Sequence, residues 1–288
     1  MSRTATESRS LAGPVRTLLV TSRPRFWLYL AGPVLVGLAF GAGSFDELAS
    51  PTALALLAYF LVPANVFLYA INDVFDAAAD RVNPRKAERE ARFSGEPVVV
   101  AGTLLGALLG LGLAAALGGV AGATVLGFLA LGAAYSAPPF RLKGRPPLDS
   151  LSNGLYVLPG VAAYAAVAGA LPPTLALLGA WLWAMGMHTF SAVPDVAADR
   201  AAGIETTATV LGHRSALGYV AACWLLAATT MAAVDGRLGA LMLAYPALLV
   251  GIASSSVVVD RAYWWFPAVN TVVGATMTVA GLWVIAGG

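Results

Sequence analysis

Long apolar runs dominate this sequence and limit what it can fold into. They recur along all 288 residues, of which only 11% are charged, whereas a soluble domain carries about a quarter. Nine runs are long enough to cross about 30 Å of hydrocarbon as helices. They cover residues 25–43, 52–74, 97–117, 119–136, 150–170, 173–194, 214–234, 237–258 and 263–286. We therefore predict an all-α, polytopic membrane protein with nine transmembrane spans.

The chain divides into a short tail and one large domain. Residues 1–22 are polar, and we expect a mobile cytoplasmic tail that touches anionic headgroups. Residues 23–288 then form a single nine-helix domain. Because acidic motifs end both the second and the sixth spans, spans 1–4 and 5–8 resemble two four-helix halves, to which the ninth span is added.

The basic residues fall on one side of this nine-span arrangement. Every Lys and Arg except Arg237 lies before the first span or in the loops after the second, fourth, sixth and eighth spans. The positive-inside rule therefore places the N-terminus and these loops in the cytoplasm, with the chain in the cell membrane. A missed helix would mix the two sides, so the bias also supports the span count. A net charge of +2 gives no reason to expect a nucleic-acid partner.

The second span ends in a cluster of polar side chains. Asn72, Asp76 and Asp80 are spaced four residues apart and share one helix face, with Asp73 at its edge. A carboxylate inside the bilayer costs roughly 2.5–3.5 kcal/mol on insertion scales. A hard divalent cation, which takes oxygen ligands, would offset that cost. The spacing therefore predicts a metal ion at this end of the span.

Three neighbouring features each allow two interpretations. Asn65 lies deeper on the same face, where it either lines a pocket or bonds to a neighbouring helix. Arg23 and Arg25 precede the first span, as snorkelling anchors or as ligands for an anion in the same cytoplasmic mouth. The loop over residues 81–96 is a solvated linker or a cap whose basic residues, such as Arg85, contact phosphate.

A second acidic motif ends the sixth span. Asp195 and Asp199 are one helical turn apart, and His188 and Ser191 continue that face inward. A membrane histidine commonly hydrogen-bonds a neighbouring helix, and a direct chemical role for His188 is the alternative.

Polar residues also flank the start of the fifth span. The preceding loop carries Arg141 and Lys143 between prolines that stop the fourth helix and stiffen the chain. Asp149, Asn153 and Tyr156 follow at i, i+4 and i+7, which predicts one shared helix face. A helix cap is the plain explanation for Asp149, whereas Asn153 has no such explanation.

Two carboxylate clusters beside basic residues match the needs of a Mg²⁺–diphosphate site. Mg²⁺ is usually bound by one or two carboxylates together with substrate phosphate oxygens. Metal ions and basic groups stabilise diphosphate as it leaves, because they meet the charge that develops on it. An allylic diphosphate would leave a carbocation, which an apolar cavity lined by aromatic faces protects from water.

These motifs resemble the UbiA superfamily of intramembrane prenyltransferases. The resemblance is carried by Asn72-Asp73-x-x-Asp76-x-x-x-Asp80, Tyr135-Ser136-x-Pro138-Pro139-x-Arg141-x-Lys143 and Asp195-x-x-x-Asp199. It implies nine helices around a central cavity with a cytoplasmic mouth, and Mg²⁺-dependent transfer of a prenyl group.

The resemblance also implies roles for individual residues. One Mg²⁺ ion would be bound by Asn72, Asp76 and Asp80, and a second by Asp195 and Asp199. The diphosphate would be held by Tyr135, Arg141, Lys143, Arg23 and Arg85. The residues expected to act in catalysis are Asp76, Asp195 and Lys143. The pocket for the prenyl group and its acceptor would include Asn65, Asn153, Tyr156 and His188.

Within the superfamily, three stretches look most like the lycopene elongases, which are carotenoid prenyltransferases. They cover residues 23–33, 149–160 and 188–195. This likeness implies transfer of a dimethylallyl group from dimethylallyl diphosphate (DMAPP) to a terminal double bond of lycopene, towards fifty-carbon carotenoids. The resulting cation ends by proton loss or by capture of water. Expected partners are DMAPP, lycopene or another lipophilic acceptor, and membrane lipid. Proteins of the carotenoid pathway are further candidate partners.

Two other functions compete with this interpretation. An aromatic prenyltransferase of quinone or chlorophyll synthesis would use the same metal site on a different acceptor. A divalent-cation transporter would need polar groups through the depth of the membrane and on the far side. The acidic motifs instead lie at cytoplasmic helix ends, which favours the transferase.

Overall fold

A computed structural model describes residues 12–80, 93 and 95–287 of the chain. Within them the protein is helical and contains no strand. The first helices are α1 (Ala12–Thr21), α2 (Leu28–Gly41), α3 (Phe45–Leu48), α4 (Pro51–Leu61), α5 (Pro63–Asp80), α6 (Pro97–Leu117), α7 (Gly119–Ser136) and α8 (Leu148–Leu151). The remaining helices are α9 (Leu158–Ala168), α10 (Thr174–Ala192), α11 (Val196–Ala201), α12 (Thr207–Leu211), α13 (His213–Val234), α14 (Gly236–Met242), α15 (Ala244–Ala253) and α16 (Val259–Ile285).

The predicted spans correspond closely to the helices of the described residues. Eight helical stretches are long and apolar enough to cross a membrane, and the bent pair Leu148–Tyr156 and Leu158–Ala168 makes a ninth if it is counted as one span. The close boundary between the third and fourth spans is confirmed, since α6 ends at Leu117 and α7 begins at Gly119. Gly118 and Gly119 both have positive φ, 61° and 47°, a conformation that favours glycine. The chain is therefore a multi-pass membrane protein.

The second span is broken where α4 meets α5. Pro63 begins α5 and has no N–H, so it cannot continue the hydrogen bonds of the preceding helix. The amide nitrogen of the fully buried Asn65 donates to the carbonyl oxygens of Phe60 (2.9 Å) and Leu61 (3.0 Å). Asn65 thus satisfies carbonyls within its own span, a role that neither sequence-based interpretation included.

The buried core forms two large clusters. One draws on the first five spans, with Leu30, Phe60 and Phe128 fully buried in it. The other draws on the last four spans and is built around Trp224 and Tyr245. The division of the first eight spans into two equivalent halves remains a prediction.

Small residues let the first and fifth spans approach closely. A Cβ atom added to Gly160 would lie 2.7 Å from the carbonyl oxygen of Pro33, so only glycine fits against that backbone. Gly37 faces the backbone of Gly160 in the same way. Such close packing through small residues is typical of helices in membranes.

The expectation of a mobile tail is wrong for residues 12–21, which form α1. The side chain of Leu18 packs against Val66 and leaves no room for a Cβ atom at Gly102, so α1 lies against the second and third spans. Thr21 and Ser22 are buried at its end, and the Trp27 indole donates to the Ser22 hydroxyl (2.9 Å). Apolar contacts therefore hold this segment, whereas residues 1–11 lie outside the described part.

Candidate active site

The end of the second span meets the loop that follows the fourth. Lys143 Nζ donates to Asn72 Oδ1 (2.9 Å) and forms an ion pair with Asp76. Arg141 Nη2 lies 3.1 Å from the same Asp76 oxygen, and Ser136 Oγ donates to Asn72 Oδ1 (3.3 Å). Two predicted metal ligands and two predicted diphosphate-binding residues therefore lie together. We call these five residues the charged mouth.

The loop reaches this position through an unusual backbone. Arg141 has φ 42°, and a 3₁₀ turn over Leu142–Gly144 follows it directly. A non-glycine residue in the left-handed region costs of order 1–3 kcal/mol, and such residues cluster at ligand-binding sites. The conformation turns both Arg141 and Lys143 towards Asp76.

Arg23 has the same backbone conformation, with φ 51°. Its Nη2 donates to Asp73 Oδ1 (2.9 Å), and its guanidinium lies over the ring of Tyr69 at 4.8 Å. Asp73 is buried, at 6% exposure, so the pair ties the start of the first span to the end of the second. The sequence suggested an anchor or an anion ligand, and the structure adds this ion pair.

The second acidic motif lies where the sixth span changes its helical geometry. The helix α10 ends at Ala192, a 3₁₀ turn covers Val193–Asp195, and α11 continues to Ala201. Pro194 accounts for the change, because it cannot donate a helical hydrogen bond. Asp195 is the last residue of the turn and Asp199 lies in α11. The two aspartates, which are four residues apart, therefore both belong to helical structure.

The fifth span does not begin as the regular helix that was predicted. Residues Ser152–Tyr156 form a 3₁₀ turn, and the span bends by 40° before α9. A 3₁₀ helix has three residues per turn, so the i, i+4, i+7 alignment of Asp149, Asn153 and Tyr156 is lost. Asn153 instead donates to the backbone oxygen of Asp149 (2.6 Å) and lies beside the Tyr135 side chain.

Asp149 is the polar residue whose role the sequence misidentified. Its carboxylate is only 1% exposed and accepts hydrogen bonds from the backbone nitrogen of Thr207 (2.8 Å) and from the Thr207 hydroxyl. His188 Nε2 lies 3.6 Å from the same carboxylate. The cap expected for Asp149 is wrong, because Thr207 is 58 residues away and begins α12.

This network connects the fifth span to the second acidic motif. Asp149 fixes Thr207 at the start of α12, and the guanidinium of Arg200 in α11 donates to the backbone oxygen of Thr209 (2.8 Å). Asp199 precedes Arg200 directly. Asp149 thereby helps to position the helix that carries Asp199, although it is no part of either acidic motif.

Aromatic side chains make contacts between the spans that carry the predicted site residues. The Tyr135 ring packs edge-on against His188 at 6.1 Å, and Tyr29 packs edge-on against Tyr156 at 6.3 Å. The side chains of Tyr69 and Tyr156 lie close to each other. The predicted pocket residues Tyr156 and His188 thus belong to a set of aromatic rings that begins at the charged mouth.

The donor atoms suit a divalent cation that also binds a diphosphate. Among the residues that the structure describes, no three His, Cys, Asp or Glu side chains lie close enough to hold a metal ion on their own. Mg²⁺ needs only one or two carboxylates when phosphate oxygens complete its shell. Asp76 and the Asn72 amide oxygen offer such donors, as do Asp195 and Asp199. The predicted ligand Asp80 is the last residue of α5, but its side chain lies outside the described part of the chain. The predicted diphosphate-binding residue Arg85 lies entirely outside it.

Known proteins resemble this chain over most of its length. The UbiA prenyltransferase family model matches residues 30–267. A lycopene elongase/hydratase from Haloferax volcanii is 59% identical over 94% of this chain and 90% of its own length. Another, from Halobacterium salinarum, is 57% identical over 93% of this chain and 98% of its own.

A solved structure supports the fold. The UbiA homologue from Archaeoglobus fulgidus bound to DMAPP and Mg²⁺ superposes with a TM-score of 0.73. The match covers 93% of this chain and 99% of that one, at 24% identity. The all-α, UbiA-like fold expected from the sequence is confirmed.

Proposed function

The chain belongs to the UbiA prenyltransferase family, and on that basis we propose that it transfers a dimethylallyl group from DMAPP to a terminal double bond of lycopene. The observation that carries the choice of acceptor is the identity of 59% and 57% to two proteins called lycopene elongase/hydratase. Both alignments cover at least 90% of either chain, so both acidic motifs lie within them.

The charged mouth binds the diphosphate. Lys143 and Arg141 pair with Asp76, and both have N–H groups that can turn to phosphate oxygens. Tyr135 and Arg23 flank this cluster, and Arg85 belongs to the loop expected to cover it. Asp76 and Asn72 on one side, and Asp195 and Asp199 on the other, would each hold one Mg²⁺ ion. When bound, these ions supply positive charge that stabilises diphosphate as a leaving group.

The apolar depth of the membrane domain governs the carbon chemistry. The allylic carbon–oxygen bond breaks and its electron pair leaves with the diphosphate, which Lys143 and Arg141 stabilise. Tyrosine rings lie along the path of the resulting cation, and aromatic faces attract cations. The terminal double bond of lycopene then attacks, which forms a carbon–carbon bond and leaves a tertiary cation on the acceptor.

The proposed membrane is the cell membrane, with the charged mouth on the cytoplasmic side. All Lys and Arg residues except Arg237 precede the first span or lie in the loops after even-numbered spans, which the positive-inside rule assigns to the cytoplasm. DMAPP would enter the mouth from water, whereas lycopene would reach the apolar depth from the bilayer.

Product analysis tests this function. Membranes that contain the protein are incubated with DMAPP and Mg²⁺, and with either lycopene or an aromatic acceptor (a hydroxybenzoate or a naphthoate). We expect carotenoids that are five or ten carbons longer than lycopene, and none when EDTA removes divalent cations. A prenylated aromatic product with no new carotenoid would refute the acceptor. Equal turnover in EDTA would refute the metal dependence.

A further inference from the structure

A polar pair joins the first span to the ninth. Tyr29 from the first span lies beside Asn270 from the ninth. At 1.5 Å per residue, Asn270 is about 16 Å along α16 from Val259. The Tyr29 hydroxyl and the Asn270 amide nitrogen are both buried and lie close enough to interact with each other, but neither meets hydrogen-bond geometry with any group in the described part of the chain. An unsatisfied buried polar group costs about 1–3 kcal/mol, so a pair of them calls for an explanation.

A hydrogen bond from Tyr245 fixes the orientation of the Asn270 amide. The Tyr245 hydroxyl donates to Asn270 Oδ1 (2.9 Å), which leaves the amide nitrogen as the group available on the other side. Tyr245 is itself 1% exposed and packs against Trp183 and Trp224 at ring distances of 5.8 and 5.4 Å. A rigid aromatic cluster thus holds a donor in an otherwise apolar region.

Tyrosine side chains connect this pair to the charged mouth. The Tyr29 ring packs edge-on against Tyr156, and the side chains of Tyr156 and Tyr69 lie close to each other. Tyr69 lies beneath the guanidinium of Arg23, which is paired with Asp73 at the mouth. The pair therefore lies at the far end of the aromatic path that begins where the diphosphate is proposed to bind.

We propose that Tyr29 and Asn270 hold the water molecule that captures the tertiary cation left on the acceptor, so that part of the product is an alcohol. This inference rests on the proposed function. The water oxygen forms a bond to the cationic carbon, and the oxonium group so formed loses one proton. That proton passes to the diphosphate released in the same turnover, which is the base that the reaction supplies. Without a held water, the cation ends by losing a proton to form a double bond.

The chemistry of the two groups suits this task. A buried water needs two to four polar partners, and few are available in this apolar region. The Asn270 N–H donates to one lone pair of the water, and the Tyr29 hydroxyl accepts one of its hydrogens. The second lone pair remains free to attack the cation. Tyr29 and Asn270 are therefore expected to set the ratio of alcohol to alkene.

The ratio of hydrated to unhydrated product tests this proposal. Asn270→Leu keeps the side-chain size but removes both polar atoms, and Tyr29→Phe removes a single oxygen. Products formed from lycopene and DMAPP in H₂¹⁸O are separated by chromatography, and mass spectrometry gives the amounts of hydrated and unhydrated product and their ¹⁸O content. We expect the unmodified protein to incorporate ¹⁸O, and each variant to lower the hydrated share about tenfold, which corresponds to about 1.4 kcal/mol in the competing barriers.

Thr271→Val is the matched control. It removes a hydroxyl from the next residue of the same helix, where that hydroxyl bonds only the Pro267 carbonyl (2.7 Å) and faces outward. The ratio is measured within whatever elongated product each protein makes, so lower expression does not imitate the effect.

An unchanged ratio in both variants, or no ¹⁸O in the product of the unmodified protein, would overturn the proposal while elongation stands. No elongation by the unmodified protein would instead refute the proposed function. Loss of all product in both variants would assign the pair to elongation and overturn its role in hydration.

Discussion

Asp149 offers the sharpest test of how the second acidic motif is held in place. Asp149→Ala removes a carboxylate that is 1% exposed and that accepts two hydrogen bonds from Thr207. The backbone nitrogen of Thr207 would then lose its acceptor at the start of α12, in a buried position. We expect α12 to loosen and, with it, the contact between Thr209 and Arg200 that holds α11.

The magnitude follows from the two bonds. A hydrogen bond to a charged group contributes about 1.5–3 kcal/mol, so the loss of both should lower the free energy of unfolding by about 3–6 kcal/mol. For a chain of this size that corresponds to a fall of roughly 6–24 °C in the thermal midpoint. Thr207→Val removes the hydroxyl but keeps the backbone donor, and should lower stability by about 1.5–3 kcal/mol.

The assay is thermal unfolding of the purified protein in detergent, followed by tryptophan fluorescence. The double variant Asp149→Ala/Thr207→Val should be about 1.5–3 kcal/mol more stable than the sum of the single changes predicts, because both single changes remove the same hydrogen bond. Asp260→Ala, at an exposed aspartate in the first turn of α16, should change stability by less than about 1 kcal/mol. Strictly additive single variants, or a midpoint for Asp149→Ala within 1 °C of the Asp260→Ala control, would show that the network does not hold the loop.

Two further predictions concern the mouth and the packing of the fifth span. Lys143→Met should lower kcat/KM for DMAPP by at least about a hundredfold, the usual effect of losing one donor to a developing anion. Arg145→Met is its control, since Arg145 is exposed and its side chain donates to the Pro139 carbonyl (2.9 Å), away from the acidic residues of the mouth. Equal losses in both variants would argue against a specific role for Lys143. Gly154→Ala should lower the thermal midpoint by several degrees, because its methyl group would overlap the Trp181 indole and overpacking costs about 1–3 kcal/mol. At Gly127 a methyl group would meet only Leu158 at 3.8 Å, so Gly127→Ala should be tolerated, and equal midpoints for both variants would contradict the packing argument.

The spans were predictable because the bilayer imposes a length and a composition on each of them. The boundary at Gly118 and Gly119 could be placed from sequence for a similar reason, since two adjacent glycines favour a sharp turn between two apolar runs. The one-face arrangement of Asn72 and Asp76 also followed directly, because α5 is a regular helix through both residues.

The local helix geometry was less predictable where a span is bent. Pro63 and Pro194 lie at two of the breaks, but nothing in the sequence shows that Asn65 satisfies the carbonyls freed at the first. The 3₁₀ turn over Ser152–Tyr156 has no comparable signal before it, so the shared face predicted for Asn153 and Tyr156 was lost.

The long-range polar pairs were the least predictable part of the site. Arg23 and Asp73 are 50 residues apart, and Asp149 and Thr207 are 58 residues apart. Their pairing depends on how the spans pack, which a single sequence does not record. The same is true of Asn270, which the structure places beside Tyr29.

The central claim is that the two acidic motifs act together on one diphosphate. The most direct measurement is prenyl transfer from DMAPP to lycopene by Asp76→Asn and Asp195→Asn at saturating Mg²⁺. Asp260→Asn serves as the control, because it removes an exposed carboxylate at the start of α16. We predict that each motif variant folds normally but forms no product, while Asp260→Asn stays near normal. Near-normal turnover in either Asp76→Asn or Asp195→Asn would contradict the two-motif site.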